Sequence, residues 1–163
     1  MIKRDVLQLL KENSRLPISD IAYMLNVSES KVEKTIKKLE TEGVIEQYTI
    51  LINEEKLDEA PPTIRALIEV SVQPEKNKGF DHIAKQVLQY ENVVDHYLVS
   101  GSYDFLIVVE GESLHDISSF ISKKLSSIKN VKGTRTHFIL KKYKENGVVF
   151  GGDSSEHRLA VSP

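Results

Sequence analysis

The chain has 163 residues, 40% of them hydrophobic and 28% charged, which is ordinary globular usage and allows one domain or two small ones. Its 22 basic residues against 24 acidic ones leave a formal net charge of -2, so any hold on nucleic acid has to come from a local patch. With no cysteine, disulfides and thiolate metal sites are excluded, and the lack of a signal peptide or long apolar run points to a soluble cytoplasmic protein with no membrane partner.

Ile2, Val6, Leu9 and Leu10 recur at helical spacing and predict a first amphipathic helix. Residues 17–43 then carry Ile18, Ile21, Ala22 and Leu25 at the same period, an interruption at Asn26-Val27-Ser28, and Val32, Ile36 and Leu39 on a second periodic stretch. Two short amphipathic helices joined by so tight a turn predict a helix-turn-helix. Asn26 tolerates the left-handed conformation that ends a helix, Val27 can tuck between the two helices, Ser28 can cap the second, and Gly43 closes it. The outer face of that second helix carries Ser30, Lys31, Lys34, Lys37 and Lys38, groups suited to phosphates and base edges. Such lysines also serve as plain solvation, and Glu29 and Glu33 stand among them at the i, i+4 spacing that merely supports a helix. The DNA-contact candidates are therefore Ser28, Glu29, Ser30, Lys31, Lys34, Lys37 and Lys38, with base reading starting at the helix amino terminus and the lysines serving phosphates.

Residues 44–52 are rich in β-branched and aromatic types and read as a short wing or linker strand. Residues 53–62 are charged and end in Pro61-Pro62, a boundary signal. We expect a DNA-binding domain over 1–46 and a linker strand and linker over 47–62.

From Thr63 the pattern changes. Residues 64–72 alternate, with Ile64, Ala66, Ile68, Val70 and Val72 on one face, and 79–90 place Phe80, Ile83, Ala84, Val87 and Leu88 on one side of a helix. Strands over 93–99 and 103–110 are separated by Ser100-Gly101-Ser102, a hairpin signal. A second helix over 113–128 takes Ser113 as its cap and turns Leu114, Ile117, Phe120, Ile121, Leu125 and Ile128 inward, and 131–143 form the last strand. The order β-α-β-β-α-β is the ferredoxin-like split pattern, an α+β domain over 63–146 with both helices on one face of an antiparallel sheet. The remainder, 147–163, reads as a tail with a flexible connector at 151–155.

In Phe105-Leu106-Ile107-Val108-Val109 both alternating sets are apolar, so this strand expects cover on both faces, while the helices supply it on one. A homodimer through the uncovered sheet face follows, and it would pair two recognition helices on one duplex.

A helix-turn-helix containing SESKVEKTIKKLETEGVIEQY, followed by a β-α-β-β-α-β domain bearing VSGSYDFLIVVEG, resembles the Lrp/AsnC (feast/famine) family of transcriptional regulators over about residues 2–143. Val32, Ile36, Lys38, Leu39, Glu40, Gly43, Val44 and Ile45 meet that family's pattern at the end of the recognition helix. The sequence departs from it at Thr35, where the family usually has Arg, and at Gln47, where it usually has Gly. The resemblance implies dimers that often associate into octamers, and small effectors, commonly amino acids, bound between subunits near the loop joining the second and third strands. Gly101, Ser102, Tyr103 and Asp104 match the family's Gly-x-Tyr-Asp motif there. Gly101 could free backbone amides to receive a carboxylate, and Asp104 could accept from an ammonium group or brace the loop. Read without the family, Gly101 is a hairpin turn and Asp104 a capping carboxylate. Thr134 and Thr136 on the final strand are weaker effector candidates.

No cofactor or metal is expected. His82, His96, His115, His137 and His157 are scattered, and no HExxH, GxSxG, Walker A or GxGxxG occurs. The expectation is a DNA-binding regulator and not an enzyme. The alternatives are an enzyme of the same architecture, since some tetrapyrrole decarboxylases resemble this family in both domains, and an architectural DNA protein without an effector.

Overall fold

A computed structural model of the chain describes residues 2–58, 63–74 and 79–150. The chain divides into two compact units, Met1–Ile52 and Asn53–Pro163, each with its own buried core.

The first unit holds α1 (Ile2–Glu12), α2 (Ile18–Leu25) and α3 (Glu29–Thr41). The helical period brings Val6 from α1, Ile21 and Ala22 from α2, and Val32 and Leu39 from α3 into one buried cluster. Asn26, at φ 51 and ψ 50, ends α2 in the left-handed region. The Val27 N–H then reaches the Ala22 carbonyl at 3.0 Å and the Asn26 N–H the Tyr23 carbonyl at 3.1 Å, the paired bonds of a Schellman turn. That turn draws Val27 against the core. Gly43, at φ 64, ends α3 in the same way, with Val44 N–H to the Leu39 carbonyl at 2.9 Å and Gly43 N–H to the Glu40 carbonyl at 3.0 Å. Ser28 occupies the cap position of α3, but its hydroxyl makes no capping bond, contrary to expectation.

Residues 44–52 form no strand, which corrects the reading of a wing or linker strand. β-propensity reports how well a side chain fits a pleated, half-buried surface, and among the described residues no strand lies alongside to supply one. Ile50 is left 71% exposed. Tyr48 instead returns to α3, its hydroxyl donating to Glu40 Oε1 at 2.9 Å. A single 3-10 turn follows at Glu54–Lys56, and Pro61-Pro62 lie outside the described residues.

The second unit orders β1 (Ile64–Val72), α4 (Asp81–Val87), β2 (Val93–Leu98), β3 (Phe105–Gly111), α5 (Leu114–Lys123) and β4 (Val131–Phe138). The four strands pair antiparallel in the order β2-β3-β1-β4. Both non-sequential neighbours follow from the ferredoxin-like connection, so the expected architecture is the observed one. One face carries Ala66, Ile68, Val70, Phe105, Ile107 and Val109, all buried with Ile83, Val87, Ile117 and Phe120 of the helices. Ser113 caps α5 as predicted, accepting from the Asp116 N–H at 3.1 Å.

The helices are shorter than the periodicity predicts. α5 ends at Lys123, and a 3-10 turn at Leu125–Ser127 replaces its last turn. Ser122 and Ser127 hydroxyls bond the carbonyls of Ser118 and Lys124 at 2.9 and 2.7 Å, the local competition that makes serine a weak helix former. The tighter turn still buries Leu125 and Ile128, whereas Leu114, expected inside, is 54% exposed. Leu88, past the end of α4, is likewise outside at 65%. Tyr90 packs in its place, edge-on to Phe120 at 5.3 Å.

The carboxy-terminal boundary also moves. β4 stops at Phe138, and the chain makes a second small sheet from β5 (Lys144–Glu145) and β6 (Val148–Val149). Asn146 and Gly147, both at positive φ (47 and 88), form its turn. Asn-Gly between extended stretches is a strong hairpin signal, and it lies across the point where a tail was expected to begin. The connector at 151–155 and the residues after it lie outside the described residues.

Candidate DNA-contact helix and effector hollow

α3 presents two faces. Val32 and Leu39 are fully inside, whereas Ser28, Glu29, Ser30, Lys31, Lys34, Lys37 and Lys38 are all exposed. Neither Glu29 nor Glu33 forms an ion pair with a lysine among the described residues, and the i, i+4 pairing that supports a helix is met there only by Lys38 with Glu42. Lys31, Lys34 and Lys37 have no carboxylate partner there either. Thr35, standing where the family usually has Arg, donates its hydroxyl to the Lys31 carbonyl at 2.7 Å and so is committed to its own helix.

Lys31, Lys34 and Lys38 share a hollow of about 390 Å³ with Ser28 and Ser30 and with Lys3 from the first turn of α1. Lys3 was not singled out from sequence, because nothing in a linear reading brings residue 3 to the recognition helix. Glu42, just past α3, accepts from Lys3 Nζ at 2.6 Å and lies 3.6 Å from Lys38 Nζ. Hydrogen bonding to Lys3 and the charge of both lysines hold the Glu42 carboxyl below the usual carboxylate range.

In the second unit, the loop between β2 and β3 is tied to β1. Asp104 Oδ2 accepts from the Val72 N–H at 2.8 Å, its own N–H donates to the Val70 carbonyl at 3.1 Å, and its carbonyl accepts from Val99 N–H at 2.9 Å. The Val72 bond falls where the β1–β4 register shifts, so the carboxylate satisfies an amide that the irregular ladder would leave open. Asp104 is a brace. Gly101 is not in the left-handed region, and a Cβ there would meet nothing within 4 Å. The backbone freedom expected of glycine is therefore not used at this position.

Ser102 and Tyr103 border a hollow of about 250 Å³ together with Glu69 and Ser71 of β1 and Gly133, Thr134 and Arg135 of β4. Its charged groups are Arg135 and Glu69, neighbours on adjacent strands that pair with each other at 3.6 Å, and Glu69 also meets His137 Nε2 at 3.1 Å. Gly101 and Asp104 do not line it. Register sets Thr134 opposite Val70 and Thr136 opposite Ile68, on the helix-covered face, while Arg135 and His137 pair with Glu69 and Leu67 on the uncovered one. Thr134 reaches the rim of the hollow and Thr136 does not. Glu69, Ser71 and Arg135 were missed from sequence. They are the polar alternates of β1 and β4, but only the register between those strands shows that they meet.

The uncovered sheet face has an apolar centre of Leu67, Leu106 and Val108, with Tyr97 opposite Leu106. Beside this centre Arg65 is held by Glu110 and Glu145, each at 2.6 Å, the latter bond fastening the β5–β6 hairpin. His96 lies on the other face, its ring 4.8 Å from that of Phe105, with Nε2 buried and unpartnered among the described residues. Burial lowers its pKa. Among the described residues no three His, Asp or Glu side chains gather as a metal site, and no helix is long and apolar enough to cross a membrane.

Residues 65–149 match the Lrp/AsnC ligand binding domain, and residues 2–46 match a winged helix-turn-helix DNA-binding family. The chain is 40% identical over 159 residues to the uncharacterised HTH-type transcriptional regulator YugG of Bacillus subtilis, covering 98% of this chain and 95% of that one. It is 34% identical over 139 residues to the HTH-type transcriptional regulator LrpA of Pyrococcus horikoshii, covering 85% and 94%. Among solved structures, the transcriptional regulator NMB0573 of Neisseria meningitidis in complex with L-Met superposes with a TM-score of 0.70 at 26% identity, over 88% of this chain and 91% of that one. With a DNA-binding helix-turn-helix in front of an effector-type sheet domain, and both matched in order, the chain belongs to the Lrp/AsnC family of transcriptional regulators.

Proposed function

We propose that this chain regulates transcription by gripping duplex DNA with α3, and that a small effector, an amino acid, sets its affinity or assembly from the hollow beside Ser102 and Tyr103. The observation that carries the first half is the exposed α3 face with Lys31, Lys34 and Lys37 free of carboxylate partners among the described residues. An unpaired lysine gives up little on meeting a phosphate, and each phosphate neutralised releases counterions from the duplex. Ser28, Glu29 and Ser30, at the start of the helix, are where base reading begins.

The second half is supported by the opposite charges of Arg135 and Glu69 at one hollow, which suit the carboxylate and ammonium of an amino acid, and by the L-Met bound to a structural neighbour. Asp104 then acts on the effector through the loop it braces. The uncovered sheet face, with Leu67, Leu106 and Val108 at its centre, makes a homodimer that further associates, and the dimer sets two α3 helices on one duplex. An effector that binds two quaternary arrangements unequally shifts the spacing of those helices. In this reading the chain works in the cytoplasm, touches no membrane and carries out no chemical step.

The test is a salt series. Lys34→Ala with Lys37→Ala should weaken binding to specific and random duplexes alike and flatten the plot of log affinity against log salt by about 0.9 for each lost phosphate contact. An unchanged slope would remove that face of α3 from the interface.

A further inference from the structure

Positions 31, 34 or 35, 38 and 42 follow one another at helical spacing along one stripe of α3 and its cap. The stripe carries lysines at 31, 34 and 38 and reverses sign at Glu42. Glu42 sits beside the basic hollow, with one carboxylate oxygen 2.6 Å from Lys3 and the other 3.6 Å from Lys38. Both of those lysines line the hollow that also holds Lys31 and Lys34. Among the described residues, two of its four lysines are thus bound to an internal anion and two are not.

We propose that Glu42 is a built-in competitor for DNA phosphate, and that Lys3 of α1 belongs to the DNA-contact surface that it restrains. This inference rests on the DNA-contact reading of α3. A carboxylate so placed penalises every phosphate approach equally, whatever the sequence, because it must be displaced from Lys3 and Lys38 or tolerated as a like charge beside the backbone. Ser28 and Ser30 line the same hollow, so the start of α3 belongs to the surface that is restrained. The consequence is lower affinity for any duplex whose backbone these lysines contact, and a shallower dependence of that affinity on salt. An exposed ion pair contributes little to folding, so stability alone gives no reason for the arrangement.

The experiment is anisotropy titration of the full chain with a random-sequence duplex across a potassium chloride series. It compares wild type, Glu42→Gln, Lys3→Gln, their double variant, and Lys34→Ala with Lys37→Ala, each first checked for an unchanged melting transition. Glu42→Gln should tighten random-duplex binding about 3–10-fold at low salt and steepen the salt slope by about one to two units, roughly 0.9 per added phosphate contact. Adding Lys3→Gln should cancel about half of that gain. If Glu42→Gln leaves affinity and slope unchanged, or weakens binding, while the lysine pair variant still flattens the slope, the competitor role is overturned and the α3 reading stands. If neither moves the slope, both fall together.

Discussion

At the scale of single residues, the clearest discord in the molecule is His96. Among the described residues its Nε2 is buried without a partner beside the Phe105 ring, an arrangement that costs about 1–3 kcal/mol for an unsatisfied polar group. Burial lowers its folded pKa below the ordinary value of 6.5, so the unfolded chain takes the proton more readily. Stability is then complete above about pH 6.5 and declines as pH falls from there towards the folded pKa. His96→Phe, which keeps the ring stack and removes both the orphan nitrogen and the titration, should raise the melting temperature. Its advantage over wild type should be larger at pH 5 than at pH 8. An equal advantage at both pH values would mean that the proton is not involved. In the sequence His96 is only one of five scattered histidines. Burial without a partner depends on the ring's neighbours in three dimensions, and no spacing rule contains it.

At the scale of elements, the turns were more legible than the ends. Asn26 and Gly43 can be read directly as left-handed helix ends because so few residue types tolerate that conformation, and both adopt it. The early end of α5 could not be read the same way, since Leu125 and Ile128 keep the apolar period through a 3-10 turn. Residues 44–52 misled for a related reason: strand-like composition is visible in one chain, whereas the paired strand that makes it a strand is not. The Asn146-Gly147 hairpin, by contrast, was readable and overlooked. The loop before β3 carries its own prediction. Asp104 joins it to the Val72 amide at 2.8 Å, so Asp104→Ala strands that donor and should cost about 1–3 kcal/mol in chemical denaturation. Gly101→Ala, with open space at its Cβ, should be nearly neutral in the same assay. Matching losses for the two would show that the loop, and not the carboxylate, carries the effect.

For the whole molecule, the proposed function requires coupling between a hollow on one unit and a helix on the other. The order of domains and the class of each were readable from helical period, strand alternation and the Gly-x-Tyr-Asp resemblance. The partners of the loop were not, because Glu69, Ser71 and Arg135 come from β1 and β4, and their meeting depends on the β1–β4 register. Thr136 shows the reverse, a candidate that the same register turns to the helix-covered face.

The most direct measurement of the account is the affinity of the full chain for a duplex selected from a random pool, taken with and without each of the twenty amino acids. Effector control from the hollow predicts that one or a few amino acids change that affinity by about 5–150-fold, the usual range of a coupling between two sites, and that Arg135→Ala abolishes the change while still binding the duplex. Tight duplex binding that no amino acid alters would contradict it.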